Sequence, residues 1–226
     1  MDIMQINLDH TINSGQVFLW EKFDSVWYGV NGGDVLAVDA ENPKLVSSFV
    51  KSDYDLFRDN DDFSHVIKSI SKDKTIKDAT RKFAGLRLMR QDPFQCYISF
   101  IASSNSNLQN IKSSLKNITK KFGDKVKFNN KEFYTFPEPK KLAKATKQEL
   151  FSCGLGYRAP FVMKASNQVS SSQIDFDYLK KTDYLTAKES LLQVFGIGDK
   201  VADCVLLFSL EKLEAFPLDR WIIRSL

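Results

Sequence analysis

Two glycines separated by one residue, Gly196 and Gly198, interrupt a helical pattern late in this chain. Glycine tolerates a positive φ and leaves room for a close partner, so this spacing predicts a tight turn between two helices. The second helix begins near Lys200 and continues with apolar residues at helical spacing. Free N–H groups in such a turn and at the following helix N-terminus suit a phosphate. The stretch therefore predicts a helix–hairpin–helix that grips an anion.

Lys200 and Asp219 are the candidate catalytic residues of this stretch. Lys200 would lie in the first turn of the second helix, where the helix dipole disfavours a cation and so favours the neutral amine that nucleophilic attack requires. Asp219 follows Pro217 and Leu218, and the apolar run after it makes it a candidate N-cap. From spacing alone, a turn, a solvated lysine and a capping aspartate are the commoner explanations.

Four stretches together resemble the 8-oxoguanine DNA glycosylase/lyase family of the helix–hairpin–helix glycosylase superfamily. One is GIGDKVADC followed by PLD, with Lys200 nineteen residues before Asp219. The others are SGQVFLW from Ser14, GLRLMRQDP from Gly85 running on to SSN at 103–105, and LGYRA from Leu155. The lysine separates this family from the alkylbase glycosylases of similar fold, which lack it.

The resemblance implies a bifunctional DNA glycosylase/β-lyase of base excision repair that removes 8-oxoguanine from duplex DNA. Lys200 would attack the sugar carbon C1′, and Asp219 would stabilise the positive charge that develops on the sugar. The resulting Schiff base would permit β-elimination, with no cofactor and no metal required. Two alternatives stay open: a non-catalytic helix–hairpin–helix DNA-binding protein, and a glycosylase for another base lesion.

The resemblance also assigns residues to the base pocket and to DNA. In the base pocket, the Gly15 carbonyl would accept a hydrogen bond from N7–H of the oxidised guanine, and Cys204 would lie one helical turn after the lysine. Asn105 would fill the gap left by the flipped nucleotide, Tyr157 would act as a wedge at the kinked step, and Arg158 would bond the estranged cytosine. From the residues alone, Gly15 could be only a turn, Asn105 a loop residue and Tyr157 a core aromatic.

The hairpin itself is expected to contact DNA through Gly196 and Gly198. Family members often bind a monovalent cation on hairpin carbonyls, which correspond by position to Leu192, Val194 and Ile197.

Two positions depart from the family pattern. Asn110 stands where the family carries an arginine that reads the opposite cytosine, which removes a donor fork and predicts weaker discrimination of the opposite base. Trp221 stands where the family carries a histidine that contacts phosphate. Because Leu226 follows Asp219 by only seven residues, the helical domain is expected to be truncated at its C-terminal end.

Charge is distributed unevenly along the chain. Residues 1–70 contain five Lys/Arg and twelve Asp/Glu, a net charge of −7, whereas residues 71–226 contain twenty-seven and sixteen, a net charge of +11. A basic later part suits a polyanion such as nucleic acid. The resemblance implies that the partner is double-stranded DNA containing oxidised guanine, bound by a monomer. The three cysteines show no CxxC spacing, so reduced thiols are expected and a zinc ribbon is not.

The expected fold class is α+β. A TBP-like N-terminal antiparallel sheet domain with a helix would cover residues 1–85, and an all-α helix–hairpin–helix glycosylase domain would cover residues 86–226. Apolar runs at 17–20, 26–30 and 34–38 predict strands with a hairpin turn at 31–33, and residues 53–83 predict helix. No long apolar run and no signal-peptide pattern is present, which predicts an intracellular protein of the cytoplasm and nucleoid, or of a eukaryotic nucleus.

Overall fold

The computed structural model of the chain describes residues 5–43, 46–50 and 55–225. Its contacts divide the chain into two compact units. The first contains Met1–Gly29 and Val35–Arg90, and the second contains Val30–Asp34 and Gln91–Leu226. The division therefore follows Arg90, and the boundary predicted between residues 85 and 86 stays a prediction.

A four-stranded antiparallel sheet forms near the N-terminus, with its strands in chain order. The strands are β1 (Trp20–Phe23), β2 (Val26–Asn31), β3 (Asp34–Asp39) and β4 (Val46–Ser48). Valine, tyrosine and tryptophan favour the pleated, half-buried surface of β2, and Gly32-Gly33 makes the turn to β3. The strands and the turn predicted at 26–38 are confirmed.

Two sequence-based predictions in the N-terminal unit are wrong in position. Residues 17–19 are not a strand, since β1 begins at Trp20; the three residues are buried in succession, which gives the same apolar run as a strand. Leu56 and Phe57 are also buried, but in an irregular segment.

The helices of the N-terminal unit are α1 (Leu8–Ile12), α2 (Phe63–Ile70) and α3 (Lys74–Lys82). The helix predicted over 53–83 is thus found only from Phe63 onward. The first two residues of the predicted range, 53 and 54, lie outside the residues that the structure describes.

The core of the N-terminal unit lies between α1 and the sheet. Ile12, Trp20, Leu36, Phe57 and Met89 all belong to it, and each is at most 4% exposed. Irregular segments therefore contribute buried side chains such as Phe57 and Met89 to this core beside those of the strands, and their burial stabilises the unit.

Helices dominate the second unit. They are α4 (Pro93–Ser103), α5 (Leu108–Phe122), α6 (Pro139–Leu142), α7 (Lys147–Leu150), α8 (Ala159–Ser170), α9 (Phe176–Lys181), α10 (Tyr184–Leu192), α11 (Asp199–Ser209) and α12 (Arg220–Ser225). A π-helical turn, Phe151–Leu155, and a 3₁₀ turn, Gly156–Arg158, connect α7 to α8.

Helix α4 is the centre of this unit. Pro93 occupies its first turn, and the Asp92 side chain accepts a hydrogen bond from the Gln95 N–H. Every residue from Phe94 to Ala102 is buried, and α5, α8 and α11 pack against the helix. A helix enclosed on all sides can hold the helices around it in fixed register.

One correction concerns the all-α character predicted for the second domain. A two-stranded antiparallel hairpin, β5 (Lys125–Phe128) and β6 (Lys131–Tyr134), lies between α5 and α6. Asn129 and Asn130 both adopt positive φ angles, 47° and 61°, as a two-residue hairpin loop requires. Lysines alternate with apolar residues in β5, so the lysine-rich composition concealed a strand pattern.

Candidate active site and DNA interface

The helix–hairpin–helix predicted at 194–209 is present as α10, a short turn and α11. Gly196 adopts a φ of 93°, and a Cβ added there would lie 2.7 Å from Cγ of Phe161. Gly198 is the N-cap of α11 with a φ of −108°, no side-chain cap and no atom within 4 Å of an added Cβ. Gly196 therefore allows the tight turn, whereas Gly198 leaves the N-terminus of α11 accessible to an anion.

Lys200 lies in the first turn of α11, as predicted, and is half-buried. Its Nζ donates to Ser103 Oγ at 3.1 Å and lies 4.9 Å from the centre of the Phe100 ring. Both partners belong to α4, one helical turn apart. The amine is therefore held at the seam between α11 and α4 instead of extending freely into solvent.

Asp219 is the N-cap of α12, also as predicted. Its Oδ1 accepts hydrogen bonds from the N–H groups of Trp221 and Ile222, both at 2.9 Å. In the described part of the chain, no ion pair joins Asp219 to Lys200. The two capping bonds use one carboxylate oxygen, which leaves Oδ2 outside them and able to face a substrate.

Cys204 connects the two candidate catalytic residues electrostatically. The thiol is 3% exposed, and burial raises its pKa to about 12. The charge of Lys200 lowers that pKa, while the charges of Asp203 and Asp219 raise it.

A buried ionic cluster ties α11 to α10. Asp203, 4% exposed, accepts from the Tyr184 hydroxyl at 2.8 Å and from Lys188 Nζ at 3.0 Å. Lys188 also pairs with Asp199 at 3.3 Å, and despite its partial burial these partners raise its pKa well above the usual range. The cluster holds the helix of Lys200 against the other arm of the hairpin.

The predicted DNA residues Asn105, Tyr157 and Arg158 meet at one loop. Asn105 has a φ of 48°, and Arg158 donates to its carbonyl at 2.8 Å and to that of Ser104 at 2.5 Å. The Tyr157 hydroxyl donates to the Ser104 carbonyl at 3.2 Å, and Arg220 Nη2 donates to Asn105 Oδ1 at 2.9 Å. Tyr157 is 55% exposed, which excludes its interpretation as a core aromatic.

A polar cavity of about 480 Å³ opens beside this loop. Its lining residues are Asn105, Ser106, Asn107, Asn110, Ser113, Ser114, Gly154, Arg158 and Arg220. The amides, hydroxyls and guanidinium groups offer both donors and acceptors, as an unpaired nucleobase edge requires. Asn110, the predicted departure from the family pattern, is thus part of the cavity wall.

Gly15 belongs to the first unit, where its surroundings are rigid. It has a φ of 89°, a conformation that favours glycine. The next residue, Gln16, donates from its amide to the carbonyls of Thr11 and Arg87 at 3.0 and 2.9 Å, and accepts from the Met89 N–H at 2.7 Å. The SGQ and GLRLM stretches are therefore joined by one buried amide, which fixes the backbone next to Gly15.

Sequence reasoning missed Ser103 and Phe100 beside the amine, Arg220 beside Asn105, and the exposed Phe195 at the hairpin. The available signals were weak: Ser103 opens the SSN stretch, Arg220 follows Asp219, and Phe195 precedes Gly196. Each partner lies far away in sequence, so spacing alone could not identify the contacts.

Among the described residues, no group of three or more His, Cys, Asp or Glu side chains is arranged to hold a metal ion. The Val194 carbonyl accepts from the Ile197 N–H at 3.0 Å, and the cation site on Leu192, Val194 and Ile197 stays a prediction. No helix in the described ranges is long and apolar enough to cross a bilayer.

Two family models match consecutive parts of the chain. Residues 1–97 match the 8-oxoguanine DNA glycosylase N-terminal domain, and residues 98–226 match the HhH-GPD superfamily of base excision DNA repair proteins. The matches are consecutive and together cover the whole chain.

Individual proteins agree with the family models. A "Probable N-glycosylase/DNA lyase" of Methanothermobacter thermautotrophicus is 35% identical over 76% of this chain, and "N-glycosylase/DNA lyase OGG1" of Arabidopsis thaliana is 28% identical over 95%. The chain spans 60% of the length of the first relative and 64% of the second. The Clostridium acetobutylicum 8-oxoguanine glycosylase/lyase, solved with double-stranded DNA containing cytosine opposite 8-oxoG, matches with a TM-score of 0.89 and 28% identity over 97% of this chain and 78% of its own.

Proposed function

Because this chain belongs to the 8-oxoguanine DNA glycosylase/lyase family of the helix–hairpin–helix superfamily, we propose that it excises 8-oxoguanine from duplex DNA and then nicks the abasic strand. The observation that carries the proposal is the placement of Lys200. Its amine is held by Ser103 and Phe100 at the N-terminus of the helix that follows the hairpin.

The first step forms one bond and breaks another. The amine of Lys200 attacks C1′ of the flipped nucleotide and the glycosidic C1′–N bond breaks. The base leaves with the bonding pair and takes up the proton that the lysine nitrogen gives up. Positive charge develops on the sugar during this step. Asp219, whose Oδ2 lies outside the capping bonds, stabilises that charge and orients the amine.

The second step cleaves the strand. The C1′–O4′ bond of the Lys200 adduct then breaks, O4′ keeps the bonding pair and takes up a proton, and the lysine nitrogen forms a protonated imine with C1′. This imine makes the C2′ proton acidic. Loss of that proton and departure of the 3′ phosphate complete a β-elimination. Apart from the lone pair of the lysine nitrogen, every electron pair that moves comes from a substrate bond, so the reaction needs no external oxidant or reductant.

Other residues bind the base and the duplex in this proposal. The Gly15 carbonyl accepts a hydrogen bond from the N7–H of the oxidised base. Undamaged guanine has no proton at N7, so the carbonyl facing it would be left unpaired, which would weaken its binding by about 1–3 kcal/mol. Cys204, one helical turn after Lys200 on α11, lines the base pocket. Asn105 fills the gap in the duplex and Tyr157 wedges the kinked step.

The remaining contacts are with the opposite strand and the backbone. Arg158, beside the polar cavity, binds the estranged base, while Gly196 and Gly198 present main-chain N–H groups to a phosphate. A DNA substrate also implies a location inside the cell, in the cytoplasm or nucleoid, or in a nucleus if the source is eukaryotic.

Borohydride trapping tests the nucleophile directly. The wild-type chain should form a covalent adduct with duplex DNA containing 8-oxoguanine, because borohydride reduces the imine to a stable amine. Lys200→Gln should give neither adduct nor nick while binding the same duplex with unchanged affinity. Lys127→Gln, which removes an exposed lysine of β5, should behave as wild type.

The same assay separates the alternatives. Binding without any adduct or nick across a panel of damaged duplexes would indicate a non-catalytic DNA-binding protein. Trapping on a different lesion but not on 8-oxoguanine would indicate another glycosylase specificity. Equal trapping of the wild type and Lys200→Gln would show that the nucleophile is a different residue.

A further inference from the structure

An exposed aromatic cluster lies beside the hairpin, and two of its three rings have no role in the function proposed above. It consists of Tyr157, Phe161 and Phe195, whose rings meet edge to face at centroid distances of 6.2 and 5.4 Å. Phe195 is 64% exposed, and Tyr157 is 55% exposed. Large rings held together at a surface mark an interaction site more often than isolated apolar residues do.

The cluster is fixed to the hairpin. Gly196 lies so close to the Phe161 ring that an added Cβ would come within 2.7 Å of its Cγ. Phe161 is half-buried on α8 and contacts the ring of Phe195 on the other side. The central ring therefore supports the turn, and it holds Phe195 in a defined position next to the main-chain groups of the turn.

A positive charge accompanies the exposed ring. Lys164, an exposed residue one helical turn after Phe161 on α8, has its Nζ 5.4 Å from the centre of the Phe195 ring. A cation–π contact at this distance restrains the ammonium over the ring. The Phe195 ring and the Lys164 ammonium are therefore exposed side by side. The N-terminus of α11, which has no side-chain cap, follows Phe195 a few residues later in the sequence.

We propose that Phe195 and Lys164 form a second grip on the DNA backbone, in which the ring packs on a deoxyribose and the ammonium neutralises the adjacent phosphate. The inference rests on the proposed function, because duplex DNA is taken as the substrate. A sugar–phosphate unit alternates an apolar ring with an anion at the spacing of one nucleotide. The grip extends the phosphate contact of the hairpin and reads no bases.

The occupant is duplex DNA rather than a partner protein. The uncapped helix N-terminus and Lys164 both select an anion, and the later part of the chain carries the positive charge. A protein partner would instead be expected to cover the apolar ring without requiring the charge.

Two substitutions separate the parts of the grip. Binding of an undamaged duplex and of the same duplex with an abasic-site analogue is measured by fluorescence anisotropy between 50 and 200 mM KCl. Phe195→Ala should weaken both by about five- to tenfold at every salt concentration, since it removes apolar contact and no charge. Lys164→Gln should reduce the slope of log K against log salt by about 0.9, the value for one phosphate contact.

Matched controls come from the same unit. Leu185→Ala removes an apolar side chain of similar exposure, 66%, on α10, and Lys127→Gln removes a lysine on β5. Leu185→Ala should leave the DNA affinity unchanged, and Lys127→Gln should leave the slope of log K against log salt unchanged. Phe195→Leu, which keeps an apolar side chain, should recover part of the lost affinity.

Three outcomes would overturn the grip: Phe195→Ala binding like Leu185→Ala, Lys164→Gln keeping the slope of Lys127→Gln, or a loss confined to the abasic duplex. Borohydride trapping of the wild type distinguishes this failure from failure of the proposed function. Normal trapping with unaltered binding of both variants refutes only the grip. No trapping, combined with the expected binding changes, refutes the catalytic function and leaves the grip standing.

Discussion

At the scale of single residues, the side chains proposed to contact DNA already form hydrogen bonds within the protein. Arg158 donates from Nε, Nη1 and Nη2 to the carbonyls of Ser104, Leu155 and Asn105. A guanidinium carries five N–H groups, so these three bonds leave two for a bound base. Arg158 therefore supports the Asn105 loop and can still donate to the polar cavity, which makes its two proposed roles compatible.

Asn110 carries the first prediction. Its amide lacks the guanidinium fork, so we expect cleavage of 8-oxoguanine opposite A, G or T to be within about tenfold of cleavage opposite C. Asn110→Arg should restore a bidentate contact and raise the preference for C by about five- to a hundredfold, as one good pair allows. Single-turnover nicking of the four duplexes measures both.

The control for this prediction is Ser113→Ala on the same cavity wall, which should leave the preference unchanged. A wild-type enzyme that cleaves the lesion opposite A, G or T hundreds of times more slowly than opposite C would contradict the expectation. It would mean that another group, such as Arg158 or Arg220, reads the opposite base alone.

At the scale of secondary-structure elements, the two hairpin glycines should respond differently to the same substitution. Gly196→Ala forces a side chain into a φ of 93° and against Phe161, so it should destabilise the fold by about 1–3 kcal/mol. Gly198→Ala meets no atom within 4 Å and should change stability by under about 0.5 kcal/mol, yet weaken DNA binding because its methyl group occupies the phosphate approach. Urea unfolding and anisotropy measure the two effects, and equal loss of stability in both variants would refute the distinction.

The α10–α11 connection gives a second prediction at this scale. Asp203→Asn keeps the shape of the side chain but leaves Lys188 without its buried partner, so we expect a loss of about 3 kcal/mol in unfolding free energy. The nicking rate should also fall, because the helix that carries Lys200 loses its support. Asp177→Asn on α9, at an exposed site, is the control.

A double-mutant cycle completes that test. Combining Asp203→Asn with Lys188→Met removes both charges and should recover much of the lost stability, since no unpaired ion remains. Additive losses in the double variant would show that the cluster does not act as an ion pair.

At the scale of the whole molecule, the buried thiols should make stability depend on alkaline pH. Burial raises the pKa of Cys96, Cys153 and Cys204 above the ordinary value, to about 12 for Cys204. The unfolded chain therefore loses these protons first, and the folded state binds more protons from about pH 9 upward. The stabilisation that the buried, protonated thiols provide is complete below the thiol pKa of the unfolded chain. It is lost as pH rises through the thiol pKa of the folded chain.

We accordingly expect the unfolding free energy to fall between pH 8 and pH 11. In Cys204→Ala the fall should be shallower by about 1.4 kcal/mol per pH unit between pH 9 and 11, because one such thiol has been removed. Urea unfolding at a series of pH values measures the slopes. Parallel curves for the two proteins would show that Cys204 titrates as freely when folded as when unfolded.

The sequence by itself determined the features that depend on local backbone chemistry. These include the α4 start at Asp92-Pro93, the strands β2 and β3 around their glycine turn, the first-turn position of Lys200 and the capping role of Asp219. Each follows from neighbours within about four residues, where capping, proline geometry and periodicity act. The family assignment rested on the same short motifs.

The tertiary structure alone decided which distant residues meet. Ser103 reaches Lys200 across 97 positions of sequence, and Asn105 reaches Arg220 across 115. It also decided that Leu56 and Phe57 are buried without forming a helix and that residues 125–134 form a hairpin. These outcomes depend on packing against partners that no local pattern specifies, because apolar burial is non-directional and tertiary context overrides weak propensity.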